Sequence, residues 1–455
     1  MNDIQALHSI IEMLHRSEKL ELIKTLMEGI KDIIPKNAVG FDILCFAYYK
    51  AKDYKKAIYF GELALGGASP EEAKAIRYNL GKCYLNANEA VKAKNAFSIV
   101  SNLDTSKVDI KLDLAAALFA CNQKDEAKKL LLELDRDSWK LDPKDEKAVQ
   151  FNLGVHHIRD GDFRLGMQAL SLGRQLRIWG SYTHNFPIPE WTGENAPGKH
   201  VLIVGEGGIG DEIINARFVK HFNDRGMDAS FASCQNLAGV FSRMPFEVTL
   251  NYKKLTTDIY NITDFDYWAP AMNLPKALDL DQEDLWYGPY ITPNPIHNDK
   301  WKERLTGNFK VGMRWSGNPL YEQDLHRSIS LEKLNQVIPQ DWVRYSIQKE
   351  NTEILNDYPN ITNLESELET FEDAIACINN LDILITSCTS VAHAAAALGK
   401  RVFILTPIMD YYLWAEGKET SAWYGDNVTL IRQTEPKNWD SAFIELKDYL
   451  DRIQT

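Results

Sequence analysis

The sequence lacks the cysteine pairs that build disulfide frameworks and zinc sites. Its six cysteines include no CxxC pair, and most of them lie in apolar runs with the pattern of helices or strands. This usage is typical of a protein from a reducing compartment. We therefore expect neither a disulfide scaffold nor a structural zinc ion, and we expect a cytoplasmic protein.

A long apolar run is also missing. Residues 1–20 carry charges throughout and have the pattern of an amphipathic helix, unlike a signal peptide. The longest weakly polar stretch, residues 388–409, is interrupted by Lys400 and Arg401, which leaves too short a segment to span a bilayer. We therefore expect no transmembrane segment.

Basic residues are not in excess. The 51 Lys and Arg residues are outnumbered by 64 Asp and Glu residues, so the net charge is −13, whereas a general nucleic-acid binder would usually be basic. The chain has 455 residues, 45% of them hydrophobic and 25% charged, which is the composition of an ordinary soluble protein with two or three domains. Nucleic acid is therefore disfavoured as a partner.

The first part of the chain does contain an internal repeat. Leucines followed by a small residue recur close to the period of about 34 residues that is typical of tetratricopeptide repeats, at Leu44, Leu80, Leu114 and Leu153. Another small residue follows each leucine at a constant distance, at Ala57, Ala93, Ala127 and Gly166. Small residues at such positions let two helices approach closely, so that each hairpin buries its face against its neighbours. The pattern predicts tetratricopeptide-like repeats over residues 1–185, although other antiparallel helical hairpins give a similar pattern.

Beyond a proline-containing linker at residues 186–199, strand-like runs alternate with helical ones. Such alternation predicts two α/β units with parallel sheets, over residues 200–298 and 299–455. The predicted strands are residues 200–204, 229–233 and 246–250 in the first unit, and 309–315, 343–347, 381–386 and 401–405 in the second. The crevice between the two units is the expected ligand site.

A glycine-rich turn follows the strand at residues 200–204. Gly205-Glu-Gly207-Gly-Ile-Gly210 has the GxGxxG spacing of a dinucleotide-binding turn. A dehydrogenase would also need an acidic residue at the end of the next strand, but that strand ends in FASCQN and has Asp228 at its beginning. The paired acids Asp211 and Glu212 come directly after the turn. A carboxylate there is placed for general-base catalysis, and an acid favoured by the helix dipole is an equal alternative.

Two segments of the second unit are candidates for binding an anion. Ser387-Cys-Thr-Ser-Val-Ala-His393 lies between a strand and an Ala-rich helix, where hydroxyls and free N–H groups make an anion site. A simple Ser/Thr cap is the alternative, as is a structural role for His393. Arg327 lies in a predicted polar loop at residues 324–328, and it could pair with phosphate oxygens or be solvated.

Three DxD triplets could suggest a metal-bound nucleotide diphosphate. They lie at residues 135–137, 264–266 and 279–281. In a chain this rich in Asp, such triplets arise by chance. We therefore assign no metal ligand and expect no cofactor.

The combination of repeats and motifs resembles a known group of enzymes. The chain is similar to tetratricopeptide-repeat glycosyltransferases whose C-terminal region resembles the heptosyltransferase family and, more distantly, the O-linked N-acetylglucosamine transferases. The matching stretches, in chain order, are EWTGENAPGKHVLIVGEGGIGDEIINARFV, YWAPAMNLP, KVGMRWSGNP with HRSISLEKL, SIQK, LDILITSCTSVAHAAAALGKRVFIL, and DYYLW with WYGDNVTLIRQ.

This resemblance implies a GT-B fold and metal-independent, usually inverting transfer from a nucleotide sugar, with Asp211 as the general base. It places the donor phosphates near Asn318, Arg327, Thr389, Ser390 and His393, and the nucleotide near Gln348 and Lys349. Ser316 is a further donor-side candidate, and the acceptor-side or loop candidates are Gly208, Gly210, Glu212, Asp410 and Trp414. Many relatives carry an Asp where this chain has Cys388, so this loop has one negative charge fewer.

We therefore predict an N-terminal all-α tetratricopeptide-like solenoid followed by a GT-B-like pair of Rossmann-type α/β domains. The expected enzyme is a hexosyl- or heptosyltransferase-like glycosyltransferase whose partners are a nucleotide sugar and a glycan or protein acceptor presented partly by the repeats. Two alternatives remain open: a binding scaffold with an inactive glycosyltransferase half, and transfer to modified nucleic-acid bases. The acidic net charge argues against the second alternative, which a local basic face would permit.

Overall fold

The computed structural model describes residues 3–180, 186–244, 247–250, 262–319, 321, 324–415 and 417–454. Residues 181–185 of the predicted repeat domain and Phe246 of a predicted strand lie outside these ranges. The chain forms two compact units, Met1–Leu141 with Thr434–Asn438, and Asp142–Gln433 with Trp439–Thr455. Within the described ranges, no helix combines the length and the apolar character needed to cross a membrane.

The first unit is helical. Its helices are α1 (Asp3–Arg16), α2 (Leu20–Ile30), α3 (Ala38–Lys50), α4 (Tyr54–Gly66), α5 (Pro70–Asn86), α6 (Ala90–Leu103), α7 (Val108–Ala120) and α8 (Lys124–Arg136). Side-chain caps mark several of their starts. The Asn37 side chain accepts from the N–H of Gly40, and Ser69 forms a reciprocal capping box with Glu72. These caps satisfy N–H groups that a helix start would otherwise leave unpaired.

The small residues of the repeat lie where helices cross. Ala57, Ala93 and Ala127 are fully buried, and a Cβ added to Gly81 would lie 2.7 Å from the ring of Phe97. Four residues after the later small residue, three repeats have the bulky Phe97, Leu131 or Leu170, whereas the first has Gly61. A Cβ on Gly61 would lie 2.7 Å from the side chain of Leu80. The helical hairpins predicted from the spacing are therefore confirmed.

A short segment from late in the chain also packs in the first unit. Residues Thr434–Asn438 belong to it. The Asn122 amide donates to the carbonyl oxygen of Thr434 at 3.1 Å, and Lys437 pairs with Glu89. The first unit is thus not built from the N-terminal helices alone.

The second unit begins with the fourth repeat. Its helices are α9 (Pro143–Arg159), α10 (Phe163–Ser171) and α11 (Gly173–Leu176). A Cβ on Gly154 would lie 2.9 Å from Leu170, which is the same close crossing as in the other repeats. The ring of Phe163 packs edge-on against Trp423 of the α/β part, with centroids 5.8 Å apart. The boundary between the compact units therefore precedes this repeat, within the predicted repeat region of residues 1–185.

The first sheet is parallel and has the strand order β3-β2-β1-β4. Its strands are β1 (His200–Val204), β2 (Asp228–Ser233), β3 (Glu247–Leu250) and β4 (Tyr267–Pro270), and its helices are α12 (Ile209–Ala216), α13 (Val219–Asp224), α14 (Ala238–Phe241) and α15 (Leu274–Ala277). The predicted linker is packed against this sheet. The N–H of Trp191 donates to the carbonyl of Trp268 at 2.7 Å, and the Trp191 side chain is fully buried.

The second sheet is also parallel and has the order β10-β9-β8-β5-β6-β7. Its strands are β5 (Lys310–Arg314), β6 (Val343–Ser346), β7 (Ile361–Asn363), β8 (Ile383–Ser387), β9 (Val402–Thr406) and β10 (Val428–Arg432). Its helices are α16 (Pro295–Arg304), α17 (Asp324–Arg327), α18 (Leu331–Val337), α19 (Phe371–Asn379), α20 (Ser390–Ala397) and α21 (Asp440–Gln454). The predicted solenoid and pair of α/β sheets are thus both present.

One local prediction is wrong. The segment predicted as a polar loop at residues 324–328 contains the short helix α17, in which Asp324 and His326 are buried. The Asp324 carboxylate accepts hydrogen bonds from the N–H of Gly317 and the hydroxyl of Ser328. These bonds give a polar sequence enough internal partners to fold into a buried turn of helix.

Candidate active site

The predicted site residues follow the carboxyl ends of parallel strands in the second unit. β1 leads into the glycine turn and α12, while β5, β6, β8 and β9 lead into the segments that hold the other candidates. Ligands of α/β proteins bind outside such carboxyl ends of parallel strands. The two halves meet where α12 crosses α20, because a Cβ on Gly210 would lie 3.0 Å from His393 and 3.5 Å from the Cα of Ser390.

The glycine turn folds back onto Asp211. Gly207 has a φ of +74°, and a Cβ there would lie 2.4 Å from the Asp211 carboxylate. The carboxylate Oδ2 accepts the N–H of Gly208, the residue that precedes α12, at 2.8 Å. Only glycine has both the space and the left-handed freedom that this turn requires at position 207.

The other oxygen of Asp211 is bound from the opposite half. The Tyr411 hydroxyl donates to Oδ1 at 2.5 Å. Burial raises the pKa of Asp211, and the bonds from Tyr411 and Gly208 offset part of this rise. A carboxylate with a raised pKa is a stronger base than an ordinary exposed one, and such groups are concentrated at functional sites.

Glu212 has a different environment from its neighbour. It is 1% exposed, and its Oε2 accepts the Ser233 hydroxyl at 2.7 Å and the N–H of Cys234 at 2.9 Å. Burial raises its pKa as well. Because its carboxylate joins α12 to the end of β2, Glu212 has the contacts of a structural residue.

Thr389 and Ser390 lie at the start of α20. Thr389 is the N-cap residue, with extended backbone, and its side chain makes no capping bond to the helix. Its hydroxyl instead lies 3.4 Å from that of Thr386. Thr389 therefore does not form the simple side-chain cap considered from the sequence, which is compatible with an anion site at this helix start.

His393 lies one turn further along α20. Its Nδ1 is 3.1 Å from the Tyr424 hydroxyl, and its ring stacks on Trp414 with centroids 5.3 Å apart. Burial, together with the charges of Arg217 and Arg327, lowers the pKa of His393 to about 3. The imidazole is therefore neutral at ordinary pH, and it offers a hydrogen bond but no positive charge.

Arg327 is oriented by three neighbours. Its Nε donates to the Asp324 carboxylate at 2.9 Å, and its Nη1 donates to the carbonyl of Cys388 at 2.8 Å. The guanidinium also lies over the ring of Tyr321, 4.6 Å from its centroid. A Cβ on Gly317 would clash with Nη2 at 2.1 Å. Arg327 is therefore held beside the loop that begins α20.

Cys388 lies in the loop between β8 and α20. Its Sγ accepts the indole N–H of Trp414 at 3.0 Å. Burial raises the pKa of the thiol, so this position carries no charge at neutral pH. Trp414 thus joins Cys388 to His393 and is fully buried.

The remaining donor-side candidates have internal partners. Gln348 is fully buried; its Oε1 accepts the N–H groups of Trp315 and Ser316, and its Nε2 donates to the Ser316 hydroxyl. Lys349 is exposed, and its ammonium donates to the carbonyls of Glu365 and Leu368. Asn318 is exposed in the loop after β5. Gln348 and Ser316 therefore shape the loop, while Asn318 lies on its surface.

Asp410, an acceptor-side or loop candidate, lies in the segment after β9. Its side chain is 2% exposed and pairs with Arg432 at 3.3 Å. This ion pair connects the segment to β10 and places Asp410 among the residues that support the loop.

Two contacting residues near the glycine turn were not predicted. Glu206, within the turn, is fully buried; its two oxygens accept from Arg174 Nη1 at 2.7 and 2.9 Å, and Oε2 also accepts the N–H of Met272 at 3.0 Å. Arg174 comes from α11, at the end of the fourth repeat. No local sequence signal joins these positions, since they lie 32 residues apart.

No metal-binding group is found in the described ranges. In them, no three His, Cys, Asp or Glu side chains gather in an arrangement able to hold an ion. Asp266 of one DxD triplet instead accepts from Lys199 and from the N–H of His200. The metal independence of the chemistry stays a prediction.

Comparison with known proteins gives both sequence and structural relatives. No protein-family model matches the chain. The chain is 25% identical over 299 residues to the protein FlbA of Caulobacter vibrioides. The aligned region covers 56% of this chain and 49% of FlbA. The chain thus spans about half the length of this curated relative.

Two solved structures are similar to this chain at low sequence identity. The ADP-heptose lipopolysaccharide heptosyltransferase II of E. coli has a TM-score of 0.39 and 12% identity, over 56% of this chain and 100% of that one. An O-GlcNAc transferase of Thermobaculum terrenum has a TM-score of 0.40 and 11% identity, over 99% of this chain and 92% of that one. Both kinds of enzyme named in the sequence resemblance are thus among the similar solved structures.

Proposed function

We propose that the chain is a glycosyltransferase that moves a sugar from a nucleotide-sugar donor to a hydroxyl group of a glycan or protein. One observation carries the proposal. A partly buried carboxylate, Asp211, lies where α12 of one half crosses α20 of the other, and Arg327 lies beside the start of α20, which has no side-chain cap from Thr389. Displacement of a diphosphate by a hydroxyl requires a base for the hydroxyl proton and an anion site for the diphosphate, on opposite sides of a crevice.

The proposed reaction is a single displacement. Asp211 takes the proton of the acceptor hydroxyl while that oxygen bonds to the anomeric carbon, and the bond from this carbon to the diphosphate breaks on the opposite face. The configuration of the sugar is therefore inverted. The N–H groups at Thr389 and Ser390 and the guanidinium of Arg327 stabilise the charge of the departing diphosphate, the task that a metal ion performs in other transferases.

The donor is tested by thermal unfolding of the full chain with UDP-, ADP-, GDP- and CDP-sugars in EDTA. One of them is expected to raise the Tm, since a ligand at about 100 times its Kd adds about 2.7 kcal/mol to the free energy of unfolding. Arg327→Ala is expected to weaken that donor's binding by about 10- to 100-fold, because it removes a charge-assisted contact worth about 1.5–3 kcal/mol.

Arg304→Ala is the matched control for Arg327→Ala. Arg304 on α16 pairs with Glu367 at 2.6 Å, so its loss removes a partly exposed arginine without touching the α20 start. If no nucleotide sugar shifted the Tm, the result would favour a binding scaffold with an inactive glycosyltransferase half. If donor binding required Mn²⁺ or Mg²⁺, the proposal of a metal-free donor site would be wrong.

The repeats are proposed to present the acceptor, since helical solenoids offer extended binding surfaces. A shortened chain that begins at Asp142 is expected to keep donor binding and to lose transfer of labelled sugar to the macromolecules of a cell extract. The cut is placed at Asp142 because Arg174 in α11 contacts the glycine turn through Glu206. Undiminished transfer by the shortened chain would show that the first unit has no part in acceptor binding.

A further inference from the structure

Each oxygen of the Asp211 carboxylate accepts a hydrogen bond, and the donors of these two bonds come from different halves of the α/β part. Gly208, in the turn before α12, supplies an N–H to Oδ2, and Tyr411, in the segment after β9, supplies an O–H to Oδ1. The two donors fix the plane of the carboxylate. Because each oxygen has a second lone pair, the group keeps the capacity to accept a proton.

Tyr411 is itself held by a row of aromatic rings. Its ring packs edge-on against Tyr412 with centroids 4.5 Å apart, and Tyr412 packs against Trp179 and Trp423. Burial raises the pKa of Tyr411 well above its usual value, so its hydroxyl keeps the proton that it donates. The position and the protonation of this donor are therefore both set by the fold.

We infer that Tyr411 is a positioning residue whose hydroxyl, supplied by the second half, orients the Asp211 carboxylate for its role as the general base. This inference rests on the proposed function of Asp211. It also makes the base dependent on the packing of the two halves, since Asp211 lies on α12 of the first half and Tyr411 follows β9 of the second.

The charges around Asp211 explain why one hydroxyl matters. The negative charge of Glu206 acts on the Asp211 carboxylate, and so does that of Glu212, which lies on the same helix as Asp211. Among the described residues, Tyr412 and Cys388 also interact with the Asp211 carboxylate, and His393 packs against the adjacent Gly210. The pKa values of Tyr412 and Cys388 are raised by burial and that of His393 is lowered by it, so all three are neutral at ordinary pH. Apart from Tyr411 and Gly208, these neighbours contribute negative charge or none.

The test is a pH profile with water as the acceptor, which does not require the natural one. Release of the nucleoside diphosphate from the nucleotide sugar with the largest thermal shift is measured between about pH 5 and 9. In Tyr411→Phe the pKa of Asp211 is expected to rise, because a bond that lowered it is lost. The acidic limb of kcat then moves to higher pH by about one to two units, and the profiles converge at high pH.

Two variants separate this effect from a loss of packing. Tyr345→Phe removes a buried hydroxyl of the second half that is bonded to Thr306, and its limb is expected to coincide with that of the unmodified chain. Tyr411→Gln keeps an N–H donor and is expected to give an intermediate limb, which also carries the test should Tyr411→Phe fail to fold.

The failure of this inference is distinguishable from failure of the proposed function. If Asp211→Asn abolishes hydrolysis while Tyr411→Phe and Tyr411→Gln keep the unmodified limb, the role of Tyr411 is wrong and the base stands. If Asp211→Asn hydrolyses the donor at the unmodified rate, the proposed base itself is wrong.

Discussion

Replacement of Asp211 by asparagine is expected to slow sugar transfer by about 10²- to 10⁴-fold, the usual contribution of a general base. Asparagine has nearly the same shape and still offers an oxygen to the Tyr411 hydroxyl, but it cannot accept the proton of the acceptor. Donor binding should therefore change little. The measurement pairs the single-turnover rate with the donor Kd from thermal unfolding, both on the full chain.

Glu212→Gln is the informative comparison for Asp211→Asn. Glu212 is buried against Ser233 and Cys234, so its replacement is expected to lower the Tm more than the catalytic rate of the folded protein. If Glu212→Gln abolished transfer in a folded chain while Asp211→Asn kept its turnover, the base would be the neighbouring residue.

Replacement of Arg174 by methionine is expected to destabilise the second unit by about 3–5 kcal/mol, the cost of removing one partner of a buried ion pair. The side chains of Arg174 and Glu206 are only 9% and 0% exposed. Loss of the guanidinium removes both hydrogen bonds from Arg174 to the Glu206 carboxylate, which is buried beside the glycine turn and also accepts the N–H of Met272. Chemical denaturation followed by intrinsic tryptophan fluorescence measures the change.

An exposed arginine of the same hairpin provides the control. Arg164 lies 3.7 Å from both Asp279 and Asp281 and is 50% exposed, so Arg164→Met is expected to cost about 0–1 kcal/mol. Equal losses for Arg164→Met and Arg174→Met would show that burial of the Arg174 pair does not strengthen the unit.

The helical repeats could be predicted from the sequence because their packing is local. The helices of one hairpin are close in sequence, so a small residue such as Gly81 and the ring it meets, Phe97, recur at a regular spacing. The strands that hold the site could be predicted for a similar reason. Each is a short apolar run, and parallel strands bring the segments that follow them to the same edge of a sheet.

The contacts that set the properties of Asp211 could not be predicted in this way. Tyr411 lies 200 residues from Asp211 in the sequence. The segment DYYLW, which contains Tyr411, is recognisable as aromatic, but nothing in it indicates a contact with Asp211. Gln348 is a second example. The resemblance implies that it lies near the nucleotide, which stays a prediction, but no motif indicated that its amide also bonds internally to Trp315 and Ser316. Which polar group faces a ligand and which supports a loop depends on tertiary packing that no short motif encodes.

The fourth repeat has a consequence for how chains of this kind can change in length. A terminal repeat of a solenoid normally needs a polar outer face, because no further repeat covers it. Here α10 and α11 end against the α/β part through Phe163, Trp179 and Arg174. The α/β part thus serves as the C-terminal cap of the hairpin, and a further repeat inserted after α11 would separate the fourth repeat from the residues that cover it.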